Sequence, residues 1–166
     1  MSILLALPLA GCAPEPTGTG FPADTTEQIT PPDSAGKDVK TIYVAGGCFW
    51  GLEKYIGLVK GVVDTEVGYA NGANASATYG DGSGYAEAVK VVYDPTVAPL
   101  PFLLDLFYDA IEPTSVNRQG NDVGTEYRTG IYYTDPADEA VIEQSLAQLQ
   151  KKYTQPIAVE SGPLTN

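Results

Sequence analysis

Residues 41–53 carry the clearest structural pattern of the chain and read Thr41-Ile42-Tyr43-Val44-Ala45-Gly46-Gly47-Cys48-Phe49-Trp50-Gly51-Leu52-Glu53. Its first five residues are mostly β-branched or aromatic, which predicts a strand over Thr41–Ala45. Two glycines end that strand. Apolar residues then recur at the spacing of one helical face, at Leu52, Tyr55, Ile56 and Val59. Cys48 is therefore expected where a strand passes into a helix.

This position has a chemical consequence for Cys48. The first N–H groups of a helix have no partner within the helix, and the helix dipole favours a negative charge there. The position therefore favours the thiolate, which is the nucleophilic form of cysteine. The alternative is a buried and inert cysteine, which is the more usual fate of a single thiol.

Composition excludes several classes of function. The chain has 166 residues, of which 43% are hydrophobic, as expected for one globular domain with a tail. The net charge of −12 argues against nucleic acid or an anionic membrane surface as a partner. Because histidine is absent and only two cysteines are present, neither a histidine-based triad nor a zinc site is expected. We expect no resident cofactor.

The amino-terminal part differs from the rest of the chain. An apolar run leads to Leu9-Ala10-Gly11-Cys12, which is typical of a signal segment that ends in a lipobox. Residues 13–40 are rich in Pro, Thr, Gly and Asp and predict a disordered, flexible linker. We expect a signal segment over 1–12, lipidation of its cysteine, a domain over 41–166 and a location in the cell envelope. The alternative is an apolar leader without this function, since no Lys or Arg precedes the run.

The hydrophobic pattern of the domain alternates between strands and helices. It predicts further strands over Val63–Tyr69, Glu87–Tyr93, Tyr127–Tyr133 and Ile157–Glu160, and helices around Leu103–Ala110 and from Asp135 to Lys152. The order βαββαβαβ predicts an α+β fold, a ferredoxin-like βαβ plait in which helices cover a mixed sheet. The polar segment Glu112–Gly124 has no apolar period, and its length indicates a functional loop.

The segment around Cys48 resembles the signature of the A-type peptide methionine sulfoxide reductases, Gly-Cys-Phe-Trp-Gly with a Glu two residues on. The resemblance continues in order through Gly68–Gly72, Thr78-Tyr79, Gly84–Glu87, Tyr93–Pro95, Asn117–Asp122 and Gly124–Arg128, and it covers roughly residues 41–166. It implies the same α+β plait. It also implies an enzyme that reduces methionine-S-sulfoxide in proteins, and free methionine sulfoxide, to methionine as a repair of oxidative damage.

The resemblance assigns the reacting groups. It makes Cys48 the nucleophile, which becomes a sulfenic acid, and Glu87 the acid that protonates the sulfoxide oxygen. Glu87 also opens an apolar strand, where partial burial raises the pKa of a carboxyl group. Tyr79 and Tyr127 match the tyrosines that donate hydrogen bonds to the oxygen. Without the resemblance, Glu87 is an exposed carboxylate at a strand end and the two tyrosines are packing residues.

The resemblance also assigns groups around the substrate. Phe49 and Trp50 match the aromatic pair that forms the pocket for the S-methyl group, and Asp122 matches a carboxylate near the substrate. The residues alone also allow two core aromatics at a helix start and an ordinary Asx turn. The chain departs from the family at Tyr85, which replaces a histidine.

The family pattern also concerns how the nucleophile is regenerated. The loop between Tyr79 and Glu87 is shorter here and lacks the cysteine often found there, and the chain ends at Asn166 without the acidic–aromatic tail that often holds a resolving cysteine. We expect the resolving thiol to be absent or to lie in a missing tail. An external thiol such as thioredoxin is then the expected reductant.

Two other functions are compatible with a reactive thiolate. One is a thiol peroxidase or disulfide oxidoreductase, although the chain has no C-x-x-C pair and the aromatic pair favours a methyl sulfoxide. The other is a non-catalytic protein that binds methionine-rich segments. Formation of methionine from a sulfoxide separates the reductase from this binder.

Overall fold

A mixed five-stranded sheet forms the centre of the domain in the computed structural model, which describes residues 38–73 and 84–166. The elements in chain order are β1 (Lys40–Ala45), α1 (Phe49–Gly57), β2 (Val62–Ala70), β3 (Ala86–Tyr93), α2 (Leu100–Asp109), β4 (Arg118–Gln119), β5 (Asp122–Val123), β6 (Gly130–Tyr133), α3 (Glu139–Gln150) and β7 (Glu160–Pro163). The strand order is β2-β3-β1-β6-β7, with β6 and β7 parallel and the other pairs antiparallel. The predicted α+β plait is confirmed, with the short hairpin β4–β5 inserted before β6.

Successive residues of β1 face opposite sides of the sheet, as the period of a strand requires. Ile42 and Val44 belong to the larger apolar cluster, which includes residues of all three helices. Tyr43 and Ala45 belong to a smaller cluster on the other face. The helices therefore cover one face of the sheet.

The two glycines between β1 and α1 are needed for two different reasons. A Cβ on Gly46 would lie 2.6 Å from Ile111 Cγ2, so the backbone passes too close to the core for a side chain. Gly47 has a φ of +79°, a conformation that L side chains rarely adopt, and its Cβ would lie 2.7 Å from Gln119 Cβ. These contacts fix the turn that leads into α1.

The strand predicted over Tyr127–Tyr133 is shorter, because β6 begins at Gly130. The residues before it form a 3-10 turn over Thr125–Tyr127. The N–H groups of Tyr127 and Arg128 donate to carbonyls within this turn at 3.1 and 3.3 Å. Local bonding therefore overrides the strand preference of Tyr127.

The last strand was predicted over Ile157–Glu160 but lies further along the chain, at Glu160–Pro163. The N–H of Ile157 donates to the side-chain oxygen of Gln150 at 3.0 Å, and the next N–H donates to the carbonyl of Pro113 at 2.6 Å. Ile157 and Val159 pack against the core, which explains their apolar character, while the backbone N–H groups of Ile157 and the next residue bond to partners outside the sheet.

The final helix begins as predicted at Asp135, whose side chain accepts a hydrogen bond from Ala137 N at 2.9 Å. Its first turn is 3-10, over Pro136–Asp138, and α3 follows. The predicted signal segment, with Cys12, and all but the end of the linker lie outside the described residues. Among residues 38–73 and 84–166, no helix has the length and apolar character needed to cross a membrane.

Candidate active site

Cys48 lies at the position immediately before α1, as its place in the sequence predicts. Its carbonyl accepts hydrogen bonds from the N–H groups of Gly51 and Leu52, at 3.2 and 3.4 Å. The side chain accepts no capping bond from the helix and is exposed. The backbone is thus tied to the helix while the sulfur stays accessible.

Glu87 lies next to this helix end although it belongs to β3. The N–H of Phe49, which directly follows Cys48, donates to Glu87 Oε2 at 3.1 Å. On β3, Ala86 and Ala88 face the smaller cluster, so Glu87 faces the helices together with Val89. The group that takes this free N–H is therefore the Glu87 carboxyl rather than the thiol.

The carboxyl group of Glu87 is in an environment that opposes its ionisation. The residue is only 3% exposed, and its burial raises the pKa to about 7. The bond from Phe49 N acts in the opposite direction, whereas the nearby charges of Glu126 and Asp122 raise the pKa further. Because its pKa is raised, Glu87 can carry a proton near neutral pH.

In the described part of the chain, no group of three or more His, Cys, Asp or Glu residues could hold a metal ion.

A cleft of about 540 Å³ opens beside Cys48. It is bounded by the start of α1, the end of α2 and the hairpin β4–β5, and Asp122 lies on its rim. The side-chain amide of Gln119 bonds to both backbone groups of Glu112, at 2.7 and 3.3 Å, and holds the hairpin against the end of α2. The polar segment expected to be a functional loop thus forms one wall of this cleft.

The aromatic pair after Cys48 is divided between core and surface. Phe49 is 3% exposed and packs on Tyr69, with ring centroids 5.6 Å apart. Trp50 is 50% exposed and meets Phe49 edge to face at 5.2 Å. The buried Phe49 ring therefore packs against the indole, and Trp50 presents an apolar surface to solvent next to the thiol.

Of the two tyrosines expected to bind the oxygen, one lies within the described residues. Tyr127 is half-buried in the 3-10 turn, and that turn packs against β3, the strand that carries Glu87. Tyr79 lies outside the described residues. The structure thus brings Cys48, Glu87, Asp122 and the turn of Tyr127 to one end of the sheet.

Arg128 lies in the same region and has no role that the sequence patterns predicted. Its guanidinium donates to the carbonyls of Asn71, Gly84 and Thr125, each at 3.0 Å, and to Glu160 Oε1 at 2.8 Å. Most of these partners are backbone carbonyls, so no residue pattern could have indicated them. The side chain joins both ends of the segment that contains Tyr79 to the turn of Tyr127.

Comparisons with known proteins identify the family of this chain. Residues 40–166 match the family model described as Peptide methionine sulfoxide reductase. The chain is 54% identical over 125 residues to peptide methionine sulfoxide reductase MsrA of Lachnoclostridium phytofermentans, covering 73% of this chain and 75% of that protein. It is 49% identical over 132 residues to the MsrA of Clostridium perfringens, covering 77% and 84%.

Solved structures lead to the same result. Mxr1 from Saccharomyces cerevisiae in reduced form has a TM-score of 0.70 and 36% identity, covering 77% of each chain. Methionine sulfoxide reductase A of Corynebacterium diphtheriae has a TM-score of 0.67 and 36% identity, covering 78% of this chain and 66% of that one. A structure of Mxr1 in complex with Trx2 has a TM-score of 0.60 and 29% identity over 77% and 78% of the chains. The chain therefore belongs to the peptide methionine sulfoxide reductase family, whose reaction is the reduction of methionine-S-sulfoxide to methionine.

Proposed function

We propose that Cys48 and Glu87 carry out this reduction as nucleophile and acid. The observation that carries the proposal is the 3.1 Å hydrogen bond from Phe49 N to Glu87 Oε2. It places a carboxyl group with a pKa of about 7 one residue from an exposed thiol. A nucleophile beside a proton donor is what a sulfoxide needs, since its oxygen leaves only when protonated.

The reaction then proceeds in two steps. The Cys48 thiolate attacks the sulfoxide sulfur while Glu87 gives a proton to the oxygen, and with a second proton the oxygen leaves as water. A water molecule next adds to the Cys48 sulfur, the bond between the two sulfurs breaks, and methionine is released. Cys48 is left as a sulfenic acid whose oxygen comes from this second water, with release of one proton, so methionine is reduced and Cys48 is oxidised.

The other residues have supporting roles in this proposal. Tyr79 and Tyr127 donate hydrogen bonds to the oxygen, which a neutral phenol can do without adding charge. Trp50, supported by Phe49, faces the S-methyl group. Asp122 lies near the substrate and helps to keep Glu87 protonated, since its charge raises the pKa of that carboxyl.

The reductant in this proposal is an external dithiol of the thioredoxin type. A sulfenic acid reacts with one thiol to give a mixed disulfide and water, and a second thiol then releases Cys48 as a thiol. The exposed sulfur of Cys48 leaves room for such an attack. The reaction itself requires no resident cofactor.

We also propose that the catalytic domain acts in the cell envelope. The support is the sequence alone, with a signal segment over 1–12, a lipid on Cys12 and a tether over 13–40. Mass spectrometry of the mature amino terminus decides this proposal, since an unmodified Met1 would contradict it.

The proposed function is tested with two peptides that carry either the S or the R epimer of methionine sulfoxide. The full chain with dithiothreitol is expected to convert only the S epimer to methionine. Mass spectrometry measures this conversion as the loss of one oxygen from the peptide. A protein that binds both peptides but converts neither is a non-catalytic binder, and the proposal is then wrong.

The rate of the sulfoxide step is expected to fall as the pH rises through about 7. Because the pKa of Glu87 is raised to about 7, the protonated acid predominates below this pH and the carboxylate above it. On the alkaline side the protonated fraction, and with it the rate, is expected to fall about tenfold per pH unit. Single-turnover rates measured on both sides of neutrality test this, with the Glu87→Gln variant beside them. An alkaline decline that persists in the variant would assign it to another group.

A single turnover without reductant is expected to give one equivalent of methionine and no internal disulfide. The second cysteine, Cys12, lies 36 positions upstream in the sequence and is proposed to be lipidated. We expect Cys12→Ser to leave both the single turnover and the thiol-driven cycling at the parent level. If cycling collapses while the single turnover survives, Cys12 is the resolving cysteine and the lipobox interpretation is wrong.

A further inference from the structure

The side chain of Arg128 is largely buried and bonds to separate parts of the backbone around the site. Its Nη1 donates to the carbonyls of Gly84 and Thr125, and its Nη2 donates to the carbonyl of Asn71, each at 3.0 Å. Thr125 opens the 3-10 turn that contains Tyr127, whereas Asn71 directly follows β2 and Gly84 lies shortly before β3. Only 14% of the side chain is exposed. The guanidinium therefore attaches the turn of Tyr127 to the ends of two strands.

The carbonyl of Asn71 is itself held in place by bonds to residues 163–166. The side-chain amide of Asn71 donates to the carbonyl of Pro163 at 3.0 Å, and its side-chain oxygen accepts from the N–H and the hydroxyl of Thr165 at 2.8 and 3.1 Å. Its backbone N–H donates to the carbonyl of Asn166 at 3.0 Å. These bonds fix the orientation of residue 71, so that its carbonyl is a rigid point of attachment for Arg128.

The turn of Tyr127 depends on this attachment for its position. The N–H groups of Tyr127 and Arg128 bond to carbonyls of the turn itself, so they determine its shape but not its distance from β3. A short 3-10 segment has poorer hydrogen-bond geometry than an α-helix and gives little rigidity by itself. The carboxyl group of Glu87, by contrast, is buried on β3 and accepts the bond from Phe49 N. Arg128 therefore helps to set where the turn lies relative to the acid.

We propose that Arg128 is a positioning residue for the reduction, which holds the hydroxyl of Tyr127 where the sulfoxide oxygen reacts. The inference rests on the proposed function, because it takes Tyr127 as a donor to that oxygen. Such a donor must be aimed at the place where negative charge develops, and a displacement of about 1 Å can lower the rate about 10²-fold. Arg128 acts on the reaction through the turn and needs no contact with the substrate.

The test begins with Arg128→Lys, which keeps a positive charge beside Glu160 but replaces the planar fork by a single ammonium group. Single turnovers of an S-sulfoxide peptide are measured at increasing peptide concentration. The maximal rate is expected to fall about 10²-fold, while the half-saturating concentration stays within about twofold, because the lost contact strengthens in the transition state. If the parent forms no methionine, the proposed function fails. If the parent is active and Arg128→Lys reacts at the same rate, this inference fails.

A double-mutant cycle with Tyr127→Phe separates positioning from a general loss of stability. Tyr127→Phe alone is expected to lower the rate about 10²-fold, as the loss of one donor to an oxyanion does. Adding Arg128→Lys to this variant should change the rate by no more than about twofold, since the hydroxyl that Arg128 positions is then absent. An equal loss in both backgrounds would show that Arg128 acts independently of Tyr127 and would overturn the inference. A parent rate in Tyr127→Phe would remove Tyr127 from the proposed function, and the inference with it.

Two controls address the substitution and the ion pair. Arg118→Lys makes the same substitution at the other arginine of the chain, which is exposed. Glu160→Gln removes the charge that pairs with Arg128 Nε at 2.8 Å, while the amide oxygen can still accept that bond. Both variants should react within about twofold of the parent. A loss in Glu160→Gln as large as that in Arg128→Lys would assign the effect to the ion pair and overturn the inference.

Circular dichroism and thermal unfolding are measured for every variant, because partial unfolding also lowers a rate. If Arg128→Lys does not fold, Arg128→Gln takes its place in the cycle, since a side-chain amide still has two N–H donors for the carbonyls. If neither variant folds, Arg128 is required for the fold itself and the inference is wrong.

Discussion

Replacing Cys48 by serine is expected to abolish methionine formation and to leave the fold intact. The expected loss is complete within detection, because a serine hydroxyl is not ionised near neutral pH and cannot replace the thiolate. The fold should persist, since the Cys48 side chain is exposed and makes no capping bond. The measurement is methionine formed from an S-sulfoxide peptide, with circular dichroism and thermal unfolding of the same samples.

Cys12→Ser is the matched control for this experiment, since it changes the second cysteine of the chain. Its methionine formation should equal that of the parent. Retained activity in Cys48→Ser would remove Cys48 from the role of nucleophile. A shared loss in both variants would instead indicate that the two thiols act together.

Glu87→Gln is expected to slow the sulfoxide step by about 10²–10⁴-fold, the usual contribution of a general acid. A carboxamide can still accept the hydrogen bond from Phe49 N through its oxygen, so the geometry at the helix start is kept. It cannot give up a proton to the sulfoxide oxygen. Single-turnover kinetics isolate this step from reduction of the sulfenic acid.

Glu66→Gln serves as the control, because Glu66 is an exposed carboxylate on β2 whose ion pair with Lys90 lies at the surface. Such pairs contribute little, so the rate should stay within about twofold of the parent. A decrease of less than about tenfold in Glu87→Gln would mean that another group supplies the proton.

The fold could be predicted from local patterns to a large extent. Alternation along β3 is a property of neighbouring residues, so it indicated a strand there. The residues alone favoured an exposed carboxylate at the strand end for Glu87, whereas the side chain is buried. The hydrophobic pattern gave the wrong strand bounds where backbone N–H groups bond to residues outside the sheet. Ile157 has the apolar character of a strand residue, yet its N–H bonds to Gln150 rather than to a strand.

The same distinction between local and long-range features applies to the site. The position of Cys48 follows from the strand, the glycines and the helix around it. The contact between Phe49 N and Glu87 joins residues 38 positions apart, so it depends on how α1 packs on β3 and no local pattern contains it. The cleft beside Cys48 also combines separate segments, namely the start of α1, the end of α2 and the hairpin β4–β5. Its residues are ordinary surface positions until the fold assembles them.

The bonds of Arg128 have a consequence for the entropy of loop closure. One guanidinium holds the carbonyls of Asn71 and Gly84, so the two ends of the intervening segment are fixed by the domain rather than by the segment itself. The free-energy cost of closing a loop between fixed ends rises by only about 0.6 kcal/mol for each doubling of the loop length. Changes in the length of this segment are therefore expected to leave the backbone at Cys48 in place, although they would move Tyr79. A lysine at position 128 could not hold both carbonyls in this planar arrangement, and the length of the segment would then affect the geometry of the site.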